Sequence, residues 1–294
     1  MKTLLFCFVL FFSTNSFSQS PLPAKEPLVK SVNIQEKTAL TKLLNDKNWN
    51  ELFPNRHDYK PKKRKKQPTT DFYSFKAFVA AARYFPGFLS GDAVTQKREL
   101  AAFLANISQE TSAGWDEAPG GYFKWGLYYV EENQKTPMND YADSSKKNYP
   151  PVAGKYYFGR GPKQLSWNYN YGQFSEAWYG SKDTLLLHPE KLAHDPLLSF
   201  ASAIWFWMTP QFPKPSCHDI MTGNWKPTAN DIQKGRVPGF GATVNIINGG
   251  VECGLGKDLD KTTYRYRYYL YFCQYFNVSP GENINCTDQK PFGQ

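Results

Sequence analysis

Two acidic sites bracket a run of aromatic rings. Glu110 closes the segment QKRELAAFLANISQET, and the pair Glu131-Glu132 follows about twenty residues later. Leu100, Phe103, Leu104 and Ile107 recur at helical spacing. Glu110 stands three residues beyond Ile107 and seven beyond Phe103, so it shares their face. A carboxyl at the end of an apolar stripe is partly desolvated, which raises its pKa and suits a general acid. The chain then leaves through Ala113-Gly114, passes Pro119, Gly120 and Gly121, and returns with Tyr122, Phe123, Trp125, Tyr128 and Tyr129. One carboxyl on a packed helix and a second on a returning aromatic segment meet the needs of glycoside hydrolysis. There one acid protonates the leaving oxygen and one base activates water, while rings cover the apolar faces of sugars. Spacing alone does not separate this layout from a solvated glutamate at a helix end.

The elements that must hold these groups come from the rest of the 294 residues, enough for one large domain or two small ones. Residues 1–18 read as a signal peptide: Lys2, an apolar run from Leu4 to Phe12, then small residues at Ser16 and Ser18. That run is too short to span a bilayer, so an exported protein with no membrane segment is expected, and Cys7 leaves with the signal. Residues 19–30 form a Pro-rich linker. EKTALTKLLNDKNWNELF reads as one helix burying Leu40, Leu43, Leu44 and Trp49. Residues 19–70 carry 12 Lys/Arg against 5 Asp/Glu, whereas residues 71–294 carry 22 against 21, so the net charge of +9 is mostly local. Its centre is KPKKRKKQP. In an exported chain Lys62, Lys63, Arg64, Lys65 and Lys66 suit an anionic cell-wall surface better than nucleic acid, and a solvated loop is the plain alternative.

DFYSFKAFVAAARYFPGFL places Phe75, Phe78, Val79 and Ala82 on one helical face, ended by Pro86-Gly87. Residues 133–155 read as a loop walling a groove. YYFGRGPKQLSWNYNYG is a Gly/Pro-pinned turn followed by hydrogen-bonding side chains, and it lacks the Gly-Lys-Ser/Thr of a phosphate loop. Asp195 and Pro196 start a further helix with Phe200, Ile204, Trp207 and Met208 inward. Four His residues with no HExxH pattern point to no metal site, and no cofactor is expected.

Several of these motifs, in order, resemble the family 19 chitinases, the plant-type class of glycoside hydrolases. SQETSAGW resembles the family's S-H-E-T…G-W around its acid, with Gln109 where His is usual. The base lies 22 residues later in the family, which selects Glu132 rather than Glu131. YYFGRGPKQLSWNYNYG resembles Y-Y-G-R-G-P-x-Q-L-S-x-N-Y-N-Y-G with Phe158 as an extra residue. GRVPGFGATVNIINGGVECG departs from the family pattern at Val244. The resemblance covers residues 31–294 and implies a mainly α (α+β lysozyme-like) fold, a single two-lobed helical domain with a central substrate cleft. It makes the basic stretch at about 57–70 an insertion in a family loop.

It further implies roles. Glu110 is the acid, Glu132 the base, and Ser166 holds the attacking water. Gln164, Tyr169, Asn170 and Asn248 contact substrate, with Trp125 and Tyr149 offering rings. Glu252 and Arg265 form an ion-pair network with the acid; the cation lowers the acid's pKa while burial and Glu252 raise it, so the net direction stays open. Cys217, Cys253, Cys273 and Cys286 allow three full pairings, of which the resemblance favours a Cys253–Cys286 bridge with Cys217 and Cys273 free. The implied activity is inverting hydrolysis of β-1,4 links in chitin or chitooligosaccharides by a monomer, with carboxyls about 6.5–9.5 Å apart. A peptidoglycan-cleaving glycosidase and a non-catalytic chitin-binding protein are the alternatives.

Overall fold

In the computed structural model, the described residues are 27–28, 38–57, 71–132 and 141–294. The expected signal peptide, most of the linker and the basic run from Lys62 to Lys66 lie outside them. The described chain is built from helices: α1 Ala39–Leu43, α2 Asp46–Leu52, α3 Phe75–Ala82, α4 Ala93–Thr111, α5 Asn168–Tyr179, α6 Asp183–Leu187, α7 Pro196–Met208, α8 Cys217–Thr222, α9 Ala229–Gln233, α10 Phe240–Glu252 and α11 Asp260–Tyr275. Extended pairing among the described residues is limited to isolated bridges, Glu131 with Arg160, Arg160 with Leu165 and Gln211 with Lys214.

The organising element is α4. Asp92 caps it by accepting from the Thr95 amide at 2.7 Å. Every residue from Glu99 to Ser108 is buried, so this stretch is a core helix rather than an amphipathic one. It packs most extensively against α11 and also touches α8 and α10, while α3 packs against α7. Phe78 joins the two groups, stacked on Phe103 of α4 at 5.7 Å and on Phe200 of α7 at 5.0 Å. Asp195 caps α7 through the Leu198 amide, with Pro196 in its first turn, and Trp205 and Trp207 are core residues.

The first helix differs from its sequence reading. It breaks after Leu43 and restarts at Asp46. The Asn45 side chain accepts from the Asn48 amide, and the Asn48 side chain accepts from the Asn45 amide. This reciprocal capping box gives the backbone an alternative to continuing the helix. Leu40, Leu44 and Trp49 are nonetheless buried, and Leu43 is half-buried.

Candidate active site

Glu110 sits in the last turn of α4, where the helix emerges from the core beside a cleft. The returning segment is tied to that helix end: the Leu127 amide donates to Thr111 Oγ1 at 2.7 Å, and the Tyr129 amide to the Thr111 carbonyl at 2.9 Å. The next residues pair with the Gly-Arg-Gly turn, the Glu132 amide donating to the Gly159 carbonyl and the Gly161 amide to the Val130 carbonyl. Successive side chains of an extended segment point to opposite sides. Glu131 accordingly meets buried Arg160 at 3.3 Å, and Glu132 faces the cleft. Arg160 is held in turn by the Tyr156 carbonyl, the Tyr171 hydroxyl and the Phe158 ring.

The turn after Arg160 is forced by close approach. Gly161 has φ +77°, and a Cβ there would lie 2.7 Å from Ser199 Oγ; one at Gly159 would lie 2.7 Å from Gln164 Oε1. Gln164 and Trp167 carry positive φ as non-glycine residues, at +49° and +75°. Backbone strain of this kind clusters at functional sites. It aims Lys163, Gln164, Ser166, Trp167 and Asn170 into one cavity of about 380 Å³, with Glu110, Glu132, Tyr141, Phe206, Asn248 and Lys261 also on its walls.

Hydrogen bonding fixes the two carboxyls differently. Glu132 accepts from the Tyr141 hydroxyl at 3.3 Å and from the Gly159 amide at 3.4 Å. Glu110 receives two cations on one oxygen: Arg265 Nη2 at 2.6 Å and Lys163 Nζ at 3.3 Å both reach Oε1. Arg265 is fully buried in α11 and also donates to both oxygens of Glu252 and to Asn106. Asn248 stands at a kink in α10, with φ −141° inside the helix, and donates to Glu252 at 2.8 Å. The Arg265 guanidinium is desolvated, yet Glu110 and Glu252 hold its pKa above the ordinary value.

The direction that the sequence left open for Glu110 is downward. Burial pushes the Glu110 carboxyl up, but the Lys163 and Arg265 charges outweigh it and hold the carboxyl below its ordinary range. Lys163 is the group that sequence reasoning passed over. It lay in full view in GRGPKQ, but only the strained turn brings it to Glu110. Tyr141, Trp167, Phe206 and Lys261 were likewise not anticipated.

Ser166 donates its hydroxyl to the Gln164 carbonyl, and Asn170 donates to the Ser166 carbonyl. Asn170 Oδ1 is buried without a partner among the described residues. Tyr169 stacks behind Trp167 at 6.1 Å. Three of the expected rings, Tyr169, Tyr149 and Trp125, are not on the cavity wall. Tyr149 donates to Glu176 at 2.6 Å and lies over Gly172 of α5. Trp125 donates to the Pro119 carbonyl and packs between Trp115 and Tyr128. Gln109 does not line the cavity either, and its Oε1 is buried without a partner among the described residues. A disulfide joins Cys253, the residue after Glu252, to Cys286, while Cys217 and Cys273 are buried free thiols. Among the described residues no three His, Cys, Asp or Glu side chains are grouped to hold a metal, and no helix is long and apolar enough to cross a membrane.

A buried acid–arginine–acid network reaches the cavity through Glu110, and a second carboxylate, Glu132, lines the same cavity; this arrangement suits a glycosidase, and the comparisons agree. A sequence model described as chitinase class I matches residues 48–286, and the chain belongs to this family, glycoside hydrolase family 19. It is 51% identical over 226 residues to Chitinase 1 of Oryza sativa subsp. japonica, covering 76% of this chain and 68% of that one. It is 50% identical over 227 residues to Inactive chitinase-like protein 1 of Hevea brasiliensis, covering 77% and 70%. Chitinase C from Streptomyces griseus HUT6037 aligns with a TM-score of 0.63 at 30% identity, over 83% of this chain and 97% of that one. The mainly helical, lysozyme-like fold read from the motifs is the one these family structures share.

Proposed function

We propose that this chain is an exported endochitinase that cuts β-1,4 links between N-acetylglucosamine units with inversion. The observation that carries the reading is the placement of Glu110 and Glu132 on the same cavity with Ser166 beside them. Glu110 protonates the leaving oxygen. Glu132 takes a proton from a water, which attacks the opposite face of the sugar in a single displacement. Ser166 gives its own hydrogen to the Gln164 carbonyl, so towards the cleft it acts as an acceptor. It orients that water with one hydrogen on Ser166 and the other on Glu132. The free Asn170 Oδ1 suits a sugar N–H or O–H, and Trp167, 39% exposed, offers a face to a ring. Export rests on the residue 1–18 pattern and is supported by the disulfide.

The test is product analysis from chitin hexasaccharide and from peptidoglycan with wild type, Glu110→Gln and Glu132→Gln. Cleavage of the chito-oligomer, lost in both variants, supports the reading. Cleavage of peptidoglycan alone moves the substrate to the cell wall. Binding without cleavage makes the chain a chitin-binding protein.

A further inference from the structure

The family's turn motif leaves one position open, between Pro162 and Gln164. Here it holds a lysine, and this lysine points inward. The Lys163 side chain is 6% exposed, and its ammonium lies 3.3 Å from Glu110 Oε1 and 5.0 Å from the centre of the Phe206 ring. Burying an ammonium is costly unless it is paired. A lysine serving only to fill the turn would extend its flexible stem to solvent. Both cations meet Glu110 on Oε1. Oε2 has no protein partner among the described residues and is the oxygen left to face a substrate.

Resting on the assignment of Glu110 as the acid, we propose that Lys163 is a positioning residue for it. Together with Arg265 it clamps Oε1, fixes Oε2 as the oxygen that delivers the proton, and governs where on the pH scale the acid works. The charged surroundings of Glu110 are Lys163 from the turn, Arg265 and Lys261 from α11 and Glu252 from α10, with Glu132 on the same cavity. Lys214 and the Cys217 thiol stand behind Lys163. Of these, only Arg265 and Lys163 touch the acid. Arg265 divides its charge between Glu110 and Glu252, whereas among the described residues Lys163 pairs with Glu110 alone. The sign of the effect follows. A neighbouring cation favours the carboxylate, and a general acid works only while protonated. Lys163 therefore pulls the alkaline limb of the activity profile towards lower pH.

The experiment is the pH profile of kcat/KM on chitin hexasaccharide for wild type, Lys163→Met, Lys163→Arg and Glu110→Gln. Lys163→Met keeps the stem beside Phe206 and removes the charge. Its alkaline limb is expected to move upward by about one pH unit or more, while Lys163→Arg keeps the wild-type limb. An unmoved limb in a folded Lys163→Met enzyme overturns the proposal and leaves the lysine a packing residue. If Lys163→Met does not fold, ¹³C titration of the Glu110 carboxyl in Lys163→Gln decides: the same upward shift supports the clamp, and an unshifted carboxyl rejects it. Full activity in Glu110→Gln is a different failure, that of the acid assignment itself.

Discussion

Glu99 and Glu110 are two carboxyls on one helix, three turns apart on nearly the same face, and they do opposite things. Glu99 has no exposed surface. Its Oε1 accepts from His218 Nδ1 at 2.7 Å and from Trp207 Nε1 at 2.9 Å, sealed between α4, α7 and α8. Glu110 keeps 13% of its side chain exposed and shares its Oε1 between Lys163 and Arg265. Burial pushes the Glu99 carboxyl up, and the pair with His218 does not bring it back. Burial also acts on Glu110, and two neighbouring cations reverse it. A buried carboxyl is therefore not diagnostic of an acid catalyst. What distinguishes Glu110, the proposed acid, is its place on a cavity wall and the two cations that keep the group ionisable.

The comparison breaks most visibly in activity. Glu110→Gln is expected to lower kcat on chitin hexasaccharide by about 10²–10⁴-fold, with the helical circular dichroism spectrum retained. Glu99→Gln is expected to leave kcat of the folded enzyme unchanged. It removes one partner of a buried pair and lowers unfolding stability by about 3 kcal/mol in urea. Equal loss of activity in both would erase the distinction.

A smaller effect sharpens it. Burial draws the His218 imidazole down, but Glu99 outweighs this and holds its pKa above the ordinary 6.5. A raised histidine contributes stability that is whole below pH 6.5 and is lost as pH rises through the folded value. Glu99, also raised, has the same sign. Glu110, lowered from 4.5, contributes above that value and is lost as pH falls through the folded one. Tm is thus expected to decline on both sides, with His218→Asn flattening the alkaline decline and Glu110→Gln the acid one. Each pKa unit is worth about 1.4 kcal/mol. A Tm that holds steady above pH 6.5 in wild type would contradict the role given to His218. The smallest local test is Ser166→Ala, expected to lower kcat at unchanged Tm.

What was legible in the sequence follows the same division. The face carrying Glu110 shows in the spacing of Leu100, Phe103, Leu104 and Ile107, because helical period alone determines it. The choice of Glu132 over Glu131 came from family spacing; in the structure Glu131 pairs with Arg160 on the other side of the extended segment, and Glu132 faces the cleft. Glu99 was passed over because its partners lie 119 and 108 residues away. The split of the first helix turned on two asparagines whose capping competes with helix continuation. Lys163 and Trp167 depend on positive φ at Gln164 and Trp167, which no side-chain pattern announces. The rings of Trp125 and Tyr149 suited sugar by type, but the Trp125 indole donates to the Pro119 carbonyl and the Tyr149 hydroxyl to Glu176.

The central claim is that Glu110 and Glu132 act together in one displacement. It is tested most directly by ¹H NMR of the anomeric protons during the first turnovers of chitin hexasaccharide. The account predicts that the α-anomer appears first and equilibrates later to β. An initial β-anomer would contradict it, since retention requires a different role for Glu132 than activating water.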